Sequence, residues 1–230
     1  MSADASVISR LDVYDSPAWQ RARTTSGRPS RRTSRVADPH GWWRRLCWVT
    51  PQLALCGDLP DGDPDKREAL YEWIAAGVTH IVDTRLERND EWFVRTNAPK
   101  VGYTWVGVDD HGGRQPDWWF DEGVAGVVGG LRDGGKVVVH CHMGVNRGPS
   151  MAFAALLALG HDPMRALTAI RAARPIAGVL YAEDAVAWFH RTNRSPRKAM
   201  YTDTRAVRSW HQANPIDTRW ITSRIWHAAR

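Results

Sequence analysis

The chain alternates short apolar runs with longer amphipathic stretches. Apolar runs of five or six residues, bounded by glycine or polar residues, predict buried strands. Longer segments with apolar residues at helical spacing predict helices. The predicted strands are 53–57, 78–82, 103–108 and 136–140, and the predicted helices are 65–76, 118–131, 150–159, 164–173 and 182–191.

Strands that alternate with helices favour right-handed crossover connections. Such connections build a mostly parallel sheet with helices on both faces. We therefore predict an α/β fold in a single domain, with a central sheet of about four to five strands flanked by helices. Ligands of such sheets bind at the carboxyl ends of strands, which directs attention to the residues after the strand 136–140.

Composition and charge change this picture at the two ends of the chain. Hydrophobic residues make up 43% of the 230 residues, which is enough for a core and excludes a wholly disordered chain. The formal net charge of +6 divides into +3 for 1–40, −4 for 41–190 and +7 for 191–230. We predict a disordered basic tail over 1–40, a folded domain over 41–190, and a basic, Trp-rich, partly helical extension over 191–230.

The two basic ends are candidates for contacts with acidic partners. The extension interleaves apolar side chains with Arg205, Arg208, Arg219 and Arg224. Aromatic side chains beside arginines can stack on nucleotides, so nucleic acid is a candidate partner of the basic tails alone. The alternative, which we favour, is that an amphipathic extension packs onto the folded domain. The apolar side chains concerned are Trp210, Trp220, Ile221, Ile225 and Trp226.

The chain carries no signal for export or for a membrane span. Met1–Arg10 offers only Val7 and Ile8 as an apolar pair, and no run approaches about 18 apolar residues. We expect a cytoplasmic protein whose three cysteines stay reduced, since three are too few and too odd in number for a disulfide scaffold.

The residues after the strand 136–140 carry the clearest chemistry. The strand stops at Cys141, five residues follow, and Arg147 then opens a helix. Backbone N–H groups in a loop that runs into a helix N-terminus bind anions, and the Arg147 fork suits two phosphate oxygens. These dipoles and Arg147 would stabilise the Cys141 thiolate, a nucleophile able to attack phosphorus. The predicted phosphate-binding residues are His142, Met143, Gly144, Val145, Asn146 and Arg147.

A structural interpretation exists for each of these residues taken alone. A buried cysteine after a strand is usually a packing residue, and an arginine at a helix start is usually on the surface. Their combination at this spacing, between a strand and a helix, favours the phosphate site. Gly144 would allow the backbone to approach the anion closely.

This segment resembles the His-Cys-x5-Arg signature of the protein tyrosine phosphatase superfamily. It looks most like the compact dual-specificity group, which commonly has glycine three residues after the cysteine, as Gly144 is here. The resemblance covers about 48–190 and is supported by 49–57 and 76–83, which are similar to that group's first strand and to one of its helix-to-strand turns. It implies a catalytic domain over 41–190, with the phosphate-binding loop between the last core strand and a helix, and no cofactor.

The resemblance further implies a general acid on a loop before the cysteine. Asp110 best matches that position and Asp109 is the second candidate; a turn or helix-cap role is the alternative for either. The acid would protonate the leaving group and then activate water, and Gly112 and Gly113 would let its loop move. His140 would support the loop through hydrogen bonds and tune the thiol. Its spacing from Cys141 and His142 is too close for a tetrahedral zinc set, so no metal is implied.

Two further positions follow from the same resemblance. Residues 174–180 would support the phosphate-binding loop from behind. Gly148 stands where the family usually has a serine or threonine, whose hydroxyl helps the thiolate to leave in the second step. We therefore expect a slow second step.

Together these residues predict a metal-independent phosphoric monoester hydrolase, a protein-tyrosine or dual-specificity phosphatase. Cys141 would be the nucleophile that forms a phosphocysteine, Arg147 the phosphate ligand and Asp110 the general acid and base. Its partner would be a phosphorylated protein or another phosphomonoester. On proteins, the enzyme would act on phosphotyrosine and also on phosphoserine or phosphothreonine. The alternatives are a phosphatase for phosphoinositides or RNA 5′ ends, a catalytically weak phosphate-binding module, or a sulfur transferase of the rhodanese type.

Overall fold

The structure, a computed structural model, describes residues 41–228, and the predicted tail over 1–40 lies outside them. The strands are β1 (Cys47–Trp48), β2 (Leu53–Cys56), β3 (His80–Arg85), β4 (Gly102–Val108) and β5 (Val137–His140). The first four helices are α1 (Asp65–Ala75), α2 (Glu91–Asn97), α3 (Asp117–Leu131) and α4 (Arg147–Ala158). The other four are α5 (Pro163–Ala173), α6 (Ala182–Thr192), α7 (Arg197–Ala213) and α8 (Thr218–Ala228).

The five strands form one sheet in the order β1-β2-β5-β3-β4. β1 is antiparallel to β2, and the other neighbours are parallel. The predicted α/β fold with a mostly parallel sheet is confirmed. β5 is the central strand, and all four of its residues are buried, so its carboxyl end delivers Cys141 to the middle of the sheet edge where ligands bind.

Alternate strand residues face the two layers of the core. Leu55 and Val139 point to the layer that also holds Phe153 of α4, Trp119 of α3 and Val186 of α6. Ala54, Ile81 and Val138 point to the opposite layer with Leu70 and Trp73 of α1. Helices therefore cover both faces, and α4, which starts at Arg147, is buried along almost its whole length.

The predicted strand 78–82 begins and ends too early. Gly77 has a φ of +92° and closes α1, and the Val78 amide still bonds to the Trp73 carbonyl at 3.0 Å. The strand therefore starts at His80 and continues to Arg85. No predicted helix corresponds to α2, which has seven residues and buries only Val94. The helices α7 and α8 lie in the extension over 191–230, which is predicted as partly helical without bounds.

The C-terminal segment packs onto the domain, as the amphipathic interpretation predicts. Val207 of α7 and Ile221 and Ile225 of α8 are buried. The expectation that the tryptophans pack in the same way is wrong for two of the three, because Trp220 and Trp226 are 60% and 54% exposed. The buried aliphatic residues and the partly buried Trp210 provide the core of this contact. Along the described part of the chain, no helix is both long and apolar enough to cross a membrane.

Candidate active site

The loop from Cys141 to Arg147 connects the central strand β5 to the buried helix α4. Cys141 and Arg147 are only 3% and 6% exposed. A short strand and a helix that are both held in the core fix the two ends of this loop. The two residues predicted to carry the chemistry therefore lie at the ends of one rigid turn.

Four successive carbonyl groups of this loop accept hydrogen bonds from outside it. The bonds are Asp58 N to His142 O (2.9 Å), Arg174 Nη2 to Met143 O (3.0 Å), Arg174 Nε to Gly144 O (2.6 Å) and Gly178 N to Val145 O (2.6 Å). In a trans peptide the N–H points opposite to the C=O. The N–H groups of 143–146 therefore face the space that the loop encloses. They have no acceptor among the described residues, and converging N–H groups of this kind bind anions.

Gly144 is required by what lies behind the loop. Its φ is +63°, a conformation that side chains disfavour. A Cβ at this position would lie 2.4 Å from Arg174 Nη2 and 2.4 Å from the Cys56 carbonyl oxygen. The sequence predicts that Gly144 lets the backbone approach an anion closely. The structure shows that Gly144 also lets Arg174 approach the loop from the opposite side.

Arg174 supports the loop from behind, where the resemblance places the segment 174–180. Its side chain is buried and binds the carbonyls of Met143 and Gly144 together with that of Trp43, at 2.6 Å for Trp43. One guanidinium thus joins the phosphate-binding loop to the segment before β1. We expect this contact to hold the loop carbonyls in their outward orientation.

Arg147 is held in place by Glu87, a residue that the sequence analysis did not identify. The two Glu87 oxygens accept from Nη1 and Nη2 at 2.7 and 2.8 Å, and the Val108 carbonyl also accepts from Nη1 at 3.0 Å. Burial by itself raises the pKa of Glu87, but the bonds to Arg147 outweigh it and bring the pKa to about 2. The carboxylate is therefore charged at every working pH, and the ion pair persists.

The Nε of Arg147 differs from the other guanidinium nitrogens. It is buried and has no hydrogen-bond partner among the residues that the structure describes, although Asp110 Oδ2 lies 3.6 Å away. A buried N–H without an acceptor is costly. This edge of the guanidinium is thus available to an anion in the loop.

The structure separates the two candidate acids, which are adjacent in sequence. Asp110 Oδ1 accepts from Asn146 Nδ2 at 2.6 Å and from the Tyr181 hydroxyl at 2.7 Å. The Asp109 side chain is exposed and has no hydrogen-bond or ion-pair partner within 41–228. Only Asp110 is brought to the phosphate-binding loop.

Tyr181 was not identified from the sequence either. Burial, and then the bond to Asp110, raise the pKa of Tyr181 to about 12. The hydroxyl therefore stays protonated near neutral pH and donates a hydrogen bond to Asp110. The same hydroxyl accepts from the Gly112 amide at 3.3 Å. Asp184 accepts from the Gln115 backbone amide at 3.0 Å, so Tyr181 and Asp184 tie the segment 110–115 to the start of α6.

His140 does not hold the loop through its ring, which corrects the role implied by the resemblance. Nδ1 is buried without a partner among the described residues, and Nε2 lies 3.8 Å from Asp83 Oδ1. The ring instead packs edge-on against Trp73, with centroids 5.5 Å apart. Burial lowers the pKa of the His140 ring. Its backbone carbonyl, which accepts from Thr84 Oγ1 at 2.8 Å, makes the structural contact.

A buried charge network lies beneath the loop. Arg85 binds Asp83 through two bonds of 2.9 and 2.7 Å, and Asp90 at 2.6 Å. Asp83 also accepts from the Tyr103 hydroxyl at 2.6 Å. The three charged residues are almost fully buried, so their mutual pairing is what makes their burial tolerable. Their role here is structural, in agreement with the buried position of β3.

The comparisons with known proteins bear on the fold. No family model and no curated protein matches the chain. Human DUSP28 is 22% identical, with a TM-score of 0.52, over 64% of this chain and 95% of that chain. A mouse putative dual specificity phosphatase complexed with zinc tungstate is 23% identical, with a TM-score of 0.54, over 67% of this chain and 94% of that chain.

A third solved structure, PTPMT1 in complex with PI(5)P, is 16% identical, with a TM-score of 0.53, over 64% of this chain and 96% of that chain. All three structures are less than 25% identical to this chain, so the similarity establishes the fold alone. This chain has the fold of the protein tyrosine phosphatase superfamily, in the form seen in the compact dual-specificity phosphatases.

Proposed function

We propose that this protein is a metal-independent phosphatase that hydrolyses phosphomonoesters, with phosphotyrosine as the leading substrate, through a phosphocysteine intermediate. The observation that carries the proposal is the loop of inward-facing N–H groups, enclosed between a buried Cys141 and a buried Arg147 whose Nε makes no hydrogen bond within the described residues. Such a ring binds a phosphate dianion and presents it to the Cys141 sulfur.

In the first step the Cys141 thiolate attacks phosphorus and an S–P bond forms. The P–O bond to the leaving group breaks, and the electron pair stays on that oxygen. Asp110 donates a proton to it, because a phenolate or alkoxide is otherwise a poor leaving group. Arg147 and the loop amides stabilise the charge on the other phosphate oxygens.

In the second step a water molecule attacks phosphorus and the S–P bond breaks. The electron pair returns to the Cys141 sulfur, and Asp110 takes the proton of the water. Inorganic phosphate leaves, and both residues return to their starting states. Tyr181 and Asn146 keep the Asp110 carboxylate next to the loop through both steps.

The alternative functions find less support in the residues of the loop. The stretch between Cys141 and Arg147 contains no lysine, whereas similar lipid phosphatases often place one there. A catalytically weak binding module has no need of an acid beside the loop, and Asp110 lies there. A sulfur transferase has no use for Asp110 either.

An assay with a chromogenic aryl phosphate, in the presence of a metal chelator, tests the proposed function. We expect turnover to be unchanged by the chelator. A panel of a phosphotyrosine peptide, a phosphoserine peptide, a phosphoinositide and a 5′-triphosphorylated RNA then ranks the substrate classes. Turnover that requires a divalent ion, or no turnover of any phosphomonoester, would contradict the proposal.

The second step gives a prediction at Gly148, where the usual hydroxyl is missing. A Cβ at this position would lie 3.1–3.2 Å from backbone atoms of His140 and Cys141. A side chain would therefore have to displace these backbone atoms by a few tenths of an ångström. We expect Gly148→Ser and Gly148→Ala both to lose about 1–3 kcal/mol of stability. Only Gly148→Ser should accelerate the slow phase after the burst, since only it adds a hydroxyl.

Rapid-mixing kinetics with an aryl phosphate and thermal unfolding of the three proteins measure these effects. Equal slow-phase rates in the serine and alanine variants would show that the hydroxyl has no role in phosphoenzyme hydrolysis here.

A further inference from the structure

The last helix, α8, lies against the phosphate-binding loop. Ile221 and Ile225, which are 5% and 1% exposed, form a small apolar cluster with Trp43 and Val145, and Met143 packs against it. Two of the five residues between Cys141 and Arg147 therefore belong to an apolar cluster with the C-terminal helix. The solved structures cover about two thirds of this chain, so this chain has residues beyond the fold that it shares with them.

One residue of α8 stands beside the first residue of the loop after the cysteine. The Trp226 ring lies 6.2 Å from the His142 ring at an angle of 60°. His142 is itself fixed by a 2.6 Å contact between Nδ1 and Asp58 Oδ2. Trp226 nevertheless remains 54% exposed, so its side chain stays accessible to solvent after the helix has packed.

Trp226 and the acid lie at opposite ends of the loop. Asp110 contacts Asn146, just before Arg147, whereas Trp226 contacts His142, just after Cys141. Asp110 and Trp226 thus contact the two ends of the loop that would hold the phosphate.

Two other exposed apolar side chains belong to residues that neighbour the site through a backbone bond or along the chain. Leu180 is 50% exposed, and its amide donates to Asn146 Oδ1 at 2.8 Å. Leu86 is 53% exposed and directly precedes Glu87, the partner of Arg147. Exposed apolar groups around a polar site favour carrier groups that are themselves apolar, and an indole adds offset or edge contacts with aromatic rings.

We propose that Trp226 is a specificity-determining residue, through which the C-terminal helix favours phosphomonoesters of extended aromatic groups over those of small ones. This inference rests on the proposed phosphatase function. The indole contacts the organic group of the phosphomonoester beyond the ring that bears the phosphate. A compact substrate therefore gains little binding free energy from Trp226.

The test compares phenyl phosphate with biphenyl-4-yl phosphate, whose leaving groups are of similar acidity, in the full chain. We expect Trp226→Ala to lower kcat/KM for the biphenyl substrate about tenfold, mainly through KM, which corresponds to one aromatic contact. For phenyl phosphate the fall should be about twofold at most. Trp226→Phe should restore most of the lost discrimination, because it keeps an aromatic face.

Trp220→Ala is the matched control. Trp220 is on the same helix and 60% exposed, and its ring contacts the Arg224 guanidinium at 5.7 Å. This variant should leave both substrates unaffected. An equal fall for both substrates in Trp226→Ala would show that the helix only supports the loop, and no fall would show that the indole touches no substrate; either result overturns the inference.

A wild-type protein that hydrolyses neither substrate would contradict the proposed function rather than this inference. Calorimetric affinities for phenylphosphonate and biphenyl-4-ylphosphonate then still test Trp226. The inference requires tighter binding of the biphenyl compound and loss of that preference in Trp226→Ala.

Discussion

Replacement of Cys141 by serine should abolish aryl phosphate turnover, with a loss of about 10⁴-fold or more, as is typical when a catalytic nucleophile is removed. A serine hydroxyl is protonated near neutral pH and is a far weaker nucleophile than a thiolate. The side chain keeps almost the same shape, and the position is buried at the end of β5, so the fold should persist. Steady-state kinetics with p-nitrophenyl phosphate measure the loss.

Two controls separate chemistry from folding in this experiment. Thermal unfolding should show that Cys141→Ser keeps a cooperative transition near that of the wild type. Cys47→Ser should retain full turnover, because the Cys47 thiol donates to the Arg45 carbonyl at 3.5 Å and accepts from Arg174 Nη1 at 3.4 Å, and a serine hydroxyl can make both bonds. Residual activity of Cys141→Ser above about one hundredth of the wild type would contradict the phosphocysteine mechanism.

Replacement of Asp110 by asparagine should show a dependence on the leaving group. Loss of a general acid costs about 10²–10⁴-fold when the leaving group needs a proton. We expect a fall of about 10²–10³-fold for phenyl phosphate and less than about tenfold for 2,4-dinitrophenyl phosphate, whose phenolate leaves without protonation. The asparagine oxygen can still accept from Asn146 and Tyr181, so the acid loop should stay in place.

The neighbouring carboxylate provides the matched control. Asp109→Asn changes the charge by the same amount one residue away, but its side chain is exposed and unpaired within the described chain. It should alter kcat/KM by less than about threefold for both substrates. A leaving-group dependence that appears in Asp109→Asn and is missing in Asp110→Asn would assign the acid to Asp109 instead.

The sequence was sufficient where the signal is local. Four of the five strands and five of the eight helices follow from apolar runs and from helical spacing, because burial of one face imposes a period on the chain. The Cys141–Arg147 loop follows in the same way, since a nucleophile, a glycine and an arginine are linked by short, fixed spacing between a strand and a helix. The short helix α2 left no such signal, because it has seven residues and buries only Val94. The helices α7 and α8 lie in the extension over 191–230, which is predicted as partly helical without bounds.

The residues that complete the candidate site are far apart in sequence. Glu87 lies 60 residues before Arg147, and Tyr181 lies 71 residues after Asp110. Neither contact has a spacing rule, because each depends on which strands are neighbours in the sheet and on how α6 packs against α4. Glutamate and tyrosine are ordinary residues in a loop and before a helix, so no pattern marked them.

The sequence by itself determined the α/β architecture, and it predicted the anion-binding loop and the pair of carboxylates that are candidates for the acid. The tertiary structure decided three further points: that Asp110 rather than Asp109 faces the loop, that the loop carbonyls turn outward onto Arg174, and that the last helix brings Trp226 to His142. The physical reason is the same for all three. Periodicity and spacing report what each segment buries, whereas the direction of a side chain in a loop and the partner of a helix face are set by contacts between segments that are distant along the chain.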